Sequence, residues 1–177
     1  MITHYVEEEF TYKGYKCVVV MQHMGHRCGY VGIPCTHELY ERWQEHDYGA
    51  IYQIDCHGGI TYTEGGEDSS YPVKSDLLWF GFDCAHFNDG RDFELAKKYF
   101  ANDHDALRQV MLYEKSFREE QRPARSLDFC VAECKSIVDQ IEDAGYHIDN
   151  DISPEDGCSL SDLLMSGVEA LQLIKVE

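Results

Sequence analysis

The chain has 177 residues, of which 44% are hydrophobic and 12% aromatic, enough for one domain with a real core and unlike a disordered composition. With 33 acidic and 15 basic residues it carries a formal charge of -18, a field that repels phosphate backbones and anionic lipid. Direct nucleic-acid binding and membrane association are therefore not expected, and no stretch approaches the ~20 consecutive apolar residues of a membrane helix.

Residues Met1 to Glu9 show neither a basic n-region nor an apolar h-region, so the chain is expected inside the cell. Its eight cysteines are then expected as reduced thiols. Cys17, Cys130 and Cys134 sit in apolar stretches and read as small buried hydrophobes. Cys28, Cys35, Cys56 and Cys84 lie beside glycine, histidine or aspartate and are candidates for chemistry.

In chain order, Tyr5 to Thr11 and Tyr15 to Met21 read as two strands joined at Tyr12-Lys13-Gly14, the first at an exposed edge. Gly29 to Pro34 is a short extended run, and His37 to Glu45 a short helix. Ile51 to Cys56 and Ile60 to Thr63 read as a second strand pair turning at Gly58-Gly59. Leu77 to Ala85 is the most apolar strand and is expected at the centre of the sheet. From Phe93 to Phe117 the apolar spacing is helical, with a break near Asn102-Asp103. Ser126 is a good N-cap, and Leu127, Val131, Cys134 and Ile141 follow at helical spacing until Gly145. A last helix is expected from Ser161 to Lys175, after an acidic connector over 146–160. Strands first (1–90) and helices after (93–177) predict one α+β domain, a mostly antiparallel sheet packed against C-terminal helices.

The stretch Asp55-Cys56-His57-Gly58-Gly59-Ile60-Thr61-Tyr62 is the strongest candidate for chemistry. A histidine at a strand end acts as acid or base near neutral pH. Glycines let a ligand approach the main chain, whose N–H groups hold anions. The alternative is an ordinary Gly-Gly turn. In Trp79-Phe80-Gly81-Phe82-Asp83-Cys84-Ala85-His86, with Asp89 beyond, Asp83 follows an apolar strand and needs a partner. His57 is the candidate for it, and the pair would fix the imidazole tautomer. The alternative has Asp83 capping the turn and His86 solvated. The site is thus expected to use His57, Asp83 and His86, with Gly58, Gly59, Tyr62, Trp79 and Asp89 binding the ligand and Tyr30 also available to stack.

Zinc at His23-Met24-Gly25-His26-Arg27-Cys28 with Cys35-Thr36-His37 is possible by residue type, but the spacing fits no standard zinc pattern. His57, Asp83 and His86 are a second possible set, and no metal ligand is assigned. Asp149-Asn150-Asp151 fails as a calcium loop, with Pro154 where glycine is needed and Leu160 where the glutamate should be. Dinucleotide, Walker and nucleophile-elbow patterns are absent.

The ordered set Gly29 to Pro34, His57 to Tyr62, Trp79 to His86 and Asp89 resembles a family of small bacteriophage and prophage proteins. Val131-Ala132-Glu133-Cys134 is similar to that family's helical tail. The resemblance spans roughly residues 5 to 145 and brings no established catalytic residues. It implies a phage-encoded accessory protein in the host bacterial cytoplasm, and interference in host defence is the role that such proteins suggest. Three functions follow as expectations. The first is a pocket that binds, or binds and cleaves, a phosphorylated or nucleotide ligand. The second is an acidic inhibitor that competes for a host nucleic-acid-binding defence protein. The third is a phage component without pocket chemistry. Cofactor and oligomeric state are left open.

Overall fold

The computed structural model describes residues 3–66, 69–117 and 122–148. The helix expected from Ser161 to Lys175, and the acidic connector beyond residue 148, lie outside the described residues.

Five antiparallel strands form one sheet in the order β1-β2-β3-β5-β4: β1 His4–Tyr12, β2 Tyr15–Gln22, β3 Arg27–Ile33, β4 Tyr62–Gly65 and β5 Leu78–Asp83. Lys13 and Gly14 both take positive φ, 47° and 87°, as a two-residue hairpin turn between twisted strands requires. β1 lies at an edge, and a register shift between Val6 and Glu8 interrupts its pairing. There the Glu7 carboxylate turns inward onto Arg27, at 2.7 and 2.9 Å, and accepts from the Tyr99 hydroxyl at 3.1 Å.

The helices are α1 Glu38–Gln44, α2 Phe93–Tyr99, α3 His104–Ser116 and α4 Leu127–Asp143. The expected break before α3 is a cap: the Asp103 side chain accepts from the Asp105 and Ala106 amides. α4 starts and stops where expected, with the Ser126 hydroxyl accepting from the Phe129 amide and Gly145 at φ 89° just past its end.

Alternation along the strands makes two faces. Cys17, Val19, Val31, Ile33, Phe80 and Phe82 bury against Cys130, Cys134, Ile137, Val138 and Ile141 of α4. Each such side chain contributes roughly 1.5–3 kcal/mol on burial. Gly29 permits the close approach: a Cβ there would stand 2.8 Å from the Cys134 sulfur. On the other face Val18, Val20, Cys28, Tyr30 and Trp79 are covered by Tyr71, Val73, Leu77 and Tyr62. α2 and α3 pack with Met21 in a separate cluster. The fold is therefore α+β as expected, and among the described residues no helix is long and apolar enough to cross a membrane.

Three expectations are corrected. Ile51–Gln53 is a short 3-10 helix, and the chain is not a strand until Tyr62. Ile51 and Ile54, three residues apart, both enter the core, whereas Tyr52, Gln53 and Asp55 are exposed, so the spacing is that of a turn of helix. β5 is interior but not central, since β3 holds the middle position and β4 flanks β5. Six cysteines, Cys17, Cys28, Cys56, Cys84, Cys130 and Cys134, are free thiols as expected. Cys35 is disulfide-bonded instead, which the rule drawn from cellular compartment does not foresee.

Candidate functional site

β5 ends at Asp83, and the following loop turns back on itself, with the Asp89 amide donating to the His86 carbonyl at 2.9 Å. This turn brings Asp89 under the sheet's end, where its side chain is fully enclosed. The carboxylate is well supplied with donors. His57 Nε2 donates to Oδ2 at 2.8 Å, the His86 amide to the same oxygen at 3.0 Å, and Arg125 Nε to Oδ1 at 2.8 Å. Burial alone would raise the Asp89 carboxyl, but the hydrogen bonds from His57, Arg125 and His86 outweigh it and hold it at about 2. Asp89 is thus ionised and accepts only, so the proton of neutral His57 sits on Nε2 and Nδ1 carries the lone pair.

His57 is held from the other side by α4. The His57 amide donates to Glu133 Oε2 at 2.7 Å, and the Gln140 side chain bridges the amide and carbonyl of Asp55 at 2.8 and 2.7 Å. Glu133 and Gln140 are seven residues apart and so lie on one side of the helix. The His57 ring stands edge-on to His86 and Phe129, with centroids 5.2 and 5.4 Å away. Arg125 lies 5.0 Å above the Phe129 ring.

The Gly-Gly pair is a turn, with the Gly59 amide donating to the Cys56 carbonyl at 2.9 Å. That engages the Gly59 amide, so it does not serve as the expected anion cradle. Gly58, at φ 74°, makes room for a neighbouring ring, since a Cβ there would lie 1.9 Å from His86 Cε1. Gly58→Ala will therefore push the His86 imidazole off Asp89 and strain the turn. A loss of about 1–3 kcal/mol is expected, the usual range for a side chain held at positive φ. Thermal melts and the NMR signals of the His86 ring check it, and an unmoved His86 spectrum would refute it.

Beside His57 an open groove of about 500 Å³ runs along α4, lined by Arg125, Phe129, Glu133, Ser136 and Gln140 together with Asp55 and Cys56. The Cys56 thiol is pushed up to about 12, by burial first and then by Glu133 and Asp55, so it is not a ready nucleophile.

His57, His86, Gly58 and Asp89 therefore converge, but the expected roles change. Asp89, not Asp83, is the carboxylate of His57. Asp83 closes the strand end, accepting from the Thr61 hydroxyl and the Ala85 amide, each at 3.0 Å. His86 Nδ1 stands 4.0 Å from Asp83 and 3.4 Å from Asp89. Trp79 and Tyr62 do not reach the site. Trp79 is buried on the opposite face with its indole N–H on Ser75 Oγ at 3.1 Å, and Tyr62 packs against Tyr30 and Tyr71. The zinc set also disperses: Cys28 is buried within β3, Arg27 pairs with Glu7, and His37 caps α1. Burial pushes the Cys28 thiol to about 12. Sequence reasoning missed Arg125, Phe129, Glu133 and Gln140. The only signal was the seven-residue spacing of Glu133 and Gln140 on the polar side of a helix.

No family model, no curated protein and no solved structure matches this chain.

Proposed function

We propose that the chain binds a small polar ligand in the groove beside His57, with His57 Nδ1 as the atom that meets it. The observation that supports this is the buried Asp89 carboxylate, which engages Nε2 of a histidine that lines the groove, so that Nδ1 is the ring nitrogen outside that contact. A rigid imidazole of fixed tautomer at a groove wall is able to accept a hydrogen bond or take up a proton.

The groove combines Arg125 with the carboxylates of Asp55 and Glu133 and the apolar ring of Phe129. A simple phosphate suits that mixture poorly. A nucleotide suits it better, with its phosphate toward Arg125 and its amino groups toward Glu133. We therefore assign a nucleotide-like ligand, bound or cleaved by a phage-encoded accessory protein of the bacterial cytoplasm. Removal of a nucleotide signal in host defence is the corresponding role.

The charge of -18 favours a second proposal, an acidic inhibitor of a basic host protein. Such a surface does not need His57, so one variant separates the two. A thermal-shift panel of linear and cyclic nucleotides, run in EDTA and again with added Zn²⁺, Mg²⁺ or Mn²⁺, tests the ligand site. At a hundredfold excess over Kd a true ligand adds about 2.7 kcal/mol, a rise of several degrees. That rise should vanish in His57→Ala. A panel with no positive member ends the nucleotide proposal.

A further inference from the structure

The groove ligand does not account for His86, whose imidazole is held over Gly58 and toward Asp89. Among the described residues, His57, His86 and Asp89 are the one group of three in which a ring nitrogen from each histidine and a carboxylate oxygen all lie within 4.8 Å of one another. We propose that these three residues bind one divalent transition-metal ion of the zinc class.

The distances fit such an ion. Zinc ligands at 2.0–2.1 Å in a tetrahedral site stand roughly 3.3 Å apart. His86 Nδ1 and Asp89 Oδ2 are 3.4 Å apart, and His57 Nε2 and Asp89 Oδ2 are 2.8 Å apart. Entry of the ion needs an opening of the second pair and a placing of the two imidazole nitrogens, which stand within 4.8 Å of each other, about the metal. His57 changes tautomer as the ion enters: Nε2 gives its proton up to solvent while Nδ1 takes one from solvent, and the freed Nε2 lone pair goes to the metal. Two imidazoles and one carboxylate favour zinc, cobalt, nickel or ferrous iron over magnesium or calcium, which prefer all-oxygen sets.

The supports around the three donors are those a metal site uses. Arg125 holds the second Asp89 oxygen at 2.8 Å, leaving Oδ2 as the ligand atom. Glu133 and Gln140 fix the backbone that carries His57. Gly58 gives His86 its place. Carboxylates surround the donors: Asp83 stands 4.0 Å from His86 Nδ1, and Asp55 and Glu133 border the adjoining groove, while Arg125 and Arg91, which donates to the Ala85 carbonyl at 3.4 Å, supply positive charge. With three protein ligands and His86 about 39% exposed, a fourth position remains for water or for a ligand. In that state Nδ1 of His57 bears the proton and becomes a donor toward the groove.

The metal proposal rests on the three donors alone and does not need the nucleotide. The test uses the full chain, stripped with EDTA and titrated with Zn²⁺ by calorimetry. Mg²⁺ serves as a control, and Co²⁺ as a visible reporter of a four-coordinate nitrogen and oxygen site. About one equivalent of Zn²⁺ and of Co²⁺ per chain is expected. His86→Ala, whose fold is checked by circular dichroism, should weaken uptake at least tenfold. His23→Ala should leave it unchanged. Absence of uptake, equal uptake by His86→Ala, or a Co²⁺ spectrum dominated by thiolate charge transfer would overturn the proposal. Nucleotide binding that persists in EDTA beside failed metal uptake would leave the groove ligand standing and remove the metal. Metal uptake without any nucleotide shift would do the reverse.

Discussion

Asp89→Ala, measured in EDTA, is expected to lower the melting temperature by roughly 5–15 °C, the equivalent of about 2–4 kcal/mol for a domain of this size. Three groups lose their acceptor at once: His57 Nε2, the His86 amide and Arg125 Nε. Removing one member of a buried charged network typically costs about 3–5 kcal/mol, because the partners are left unpaired in low dielectric. The lower figure applies here because Arg125 is 38% exposed and recovers water. Asp83→Ala is the contrast. Its carboxylate is 30% exposed and holds the Thr61 hydroxyl and the Ala85 amide, with the half-exposed His86 ring a further 4.0 Å contact, so under about 1.5 kcal/mol is expected. Urea titration of both variants gives the comparison. An Asp83 variant that loses more than the Asp89 variant would reverse the roles assigned to the two carboxylates.

Of the two sequence readings of Asp83, the pairing with His57 gives way to the turn cap, and the cause is physical. Asp83 directly follows the apolar run Leu78 to Phe82, so it reads as the buried acid. At the strand's end, however, it meets Thr61 and its own turn, and it stays partly in water. Asp89 follows Phe87 and Asn88, both exposed, and nothing local marks it as buried. Its burial depends on how the loop after β5 closes, a long-range outcome. Trp79 failed for a related reason. Both its neighbours, Leu78 and Phe80, are apolar, so alternation gave no sign of which face it would take. Where local chemistry decides, the sequence was legible. Lys13-Gly14 marked the first hairpin, Ser126 and Gly145 bracketed α4, and Asn102-Asp103 marked the break that Asp103 caps. Arg125 gave no such signal. It enters the site only because α4 begins just after it and lays its start against Asp89.

The second large effect is on acid stability. His26 and His37 are both buried, and both are held at about 4. For His26 the cause is burial first and then the charge of Arg91, with Asp83 and Asp89 opposing and His23 adding. For His37 burial again dominates, against Glu142 and Glu38. Its Nδ1 accepts from the Leu39 amide at 3.1 Å as the cap of α1, and its Nε2 meets the Tyr15 hydroxyl, which donates to Glu142 at 3.0 Å. Protonating Nδ1 destroys the cap and sets a positive charge at a helix N-terminus.

Unfolded histidine titrates near 6.5, so between about pH 6.5 and 4 the unfolded chain takes up protons that the folded chain refuses. Stability is therefore full above 6.5 and falls with pH, by about 1.4 kcal/mol per pH unit for each group, until the folded sites protonate near 4. Each histidine then accounts for roughly 3 kcal/mol, and the pair for a large fraction of a typical domain's stability. Below about pH 5 the many carboxylates also lose charge, which relieves self-repulsion and bends the absolute curve the other way. A paired comparison removes that background. His37→Asn keeps a capping oxygen but cannot protonate, and it loses the Tyr15 contact. It should be less stable than the parent at pH 7.5, and the gap should close by roughly 3 kcal/mol by pH 4. Urea titrations of the two chains across that range decide it: a gap that stays constant would mean that His37 does not resist protonation in the folded chain.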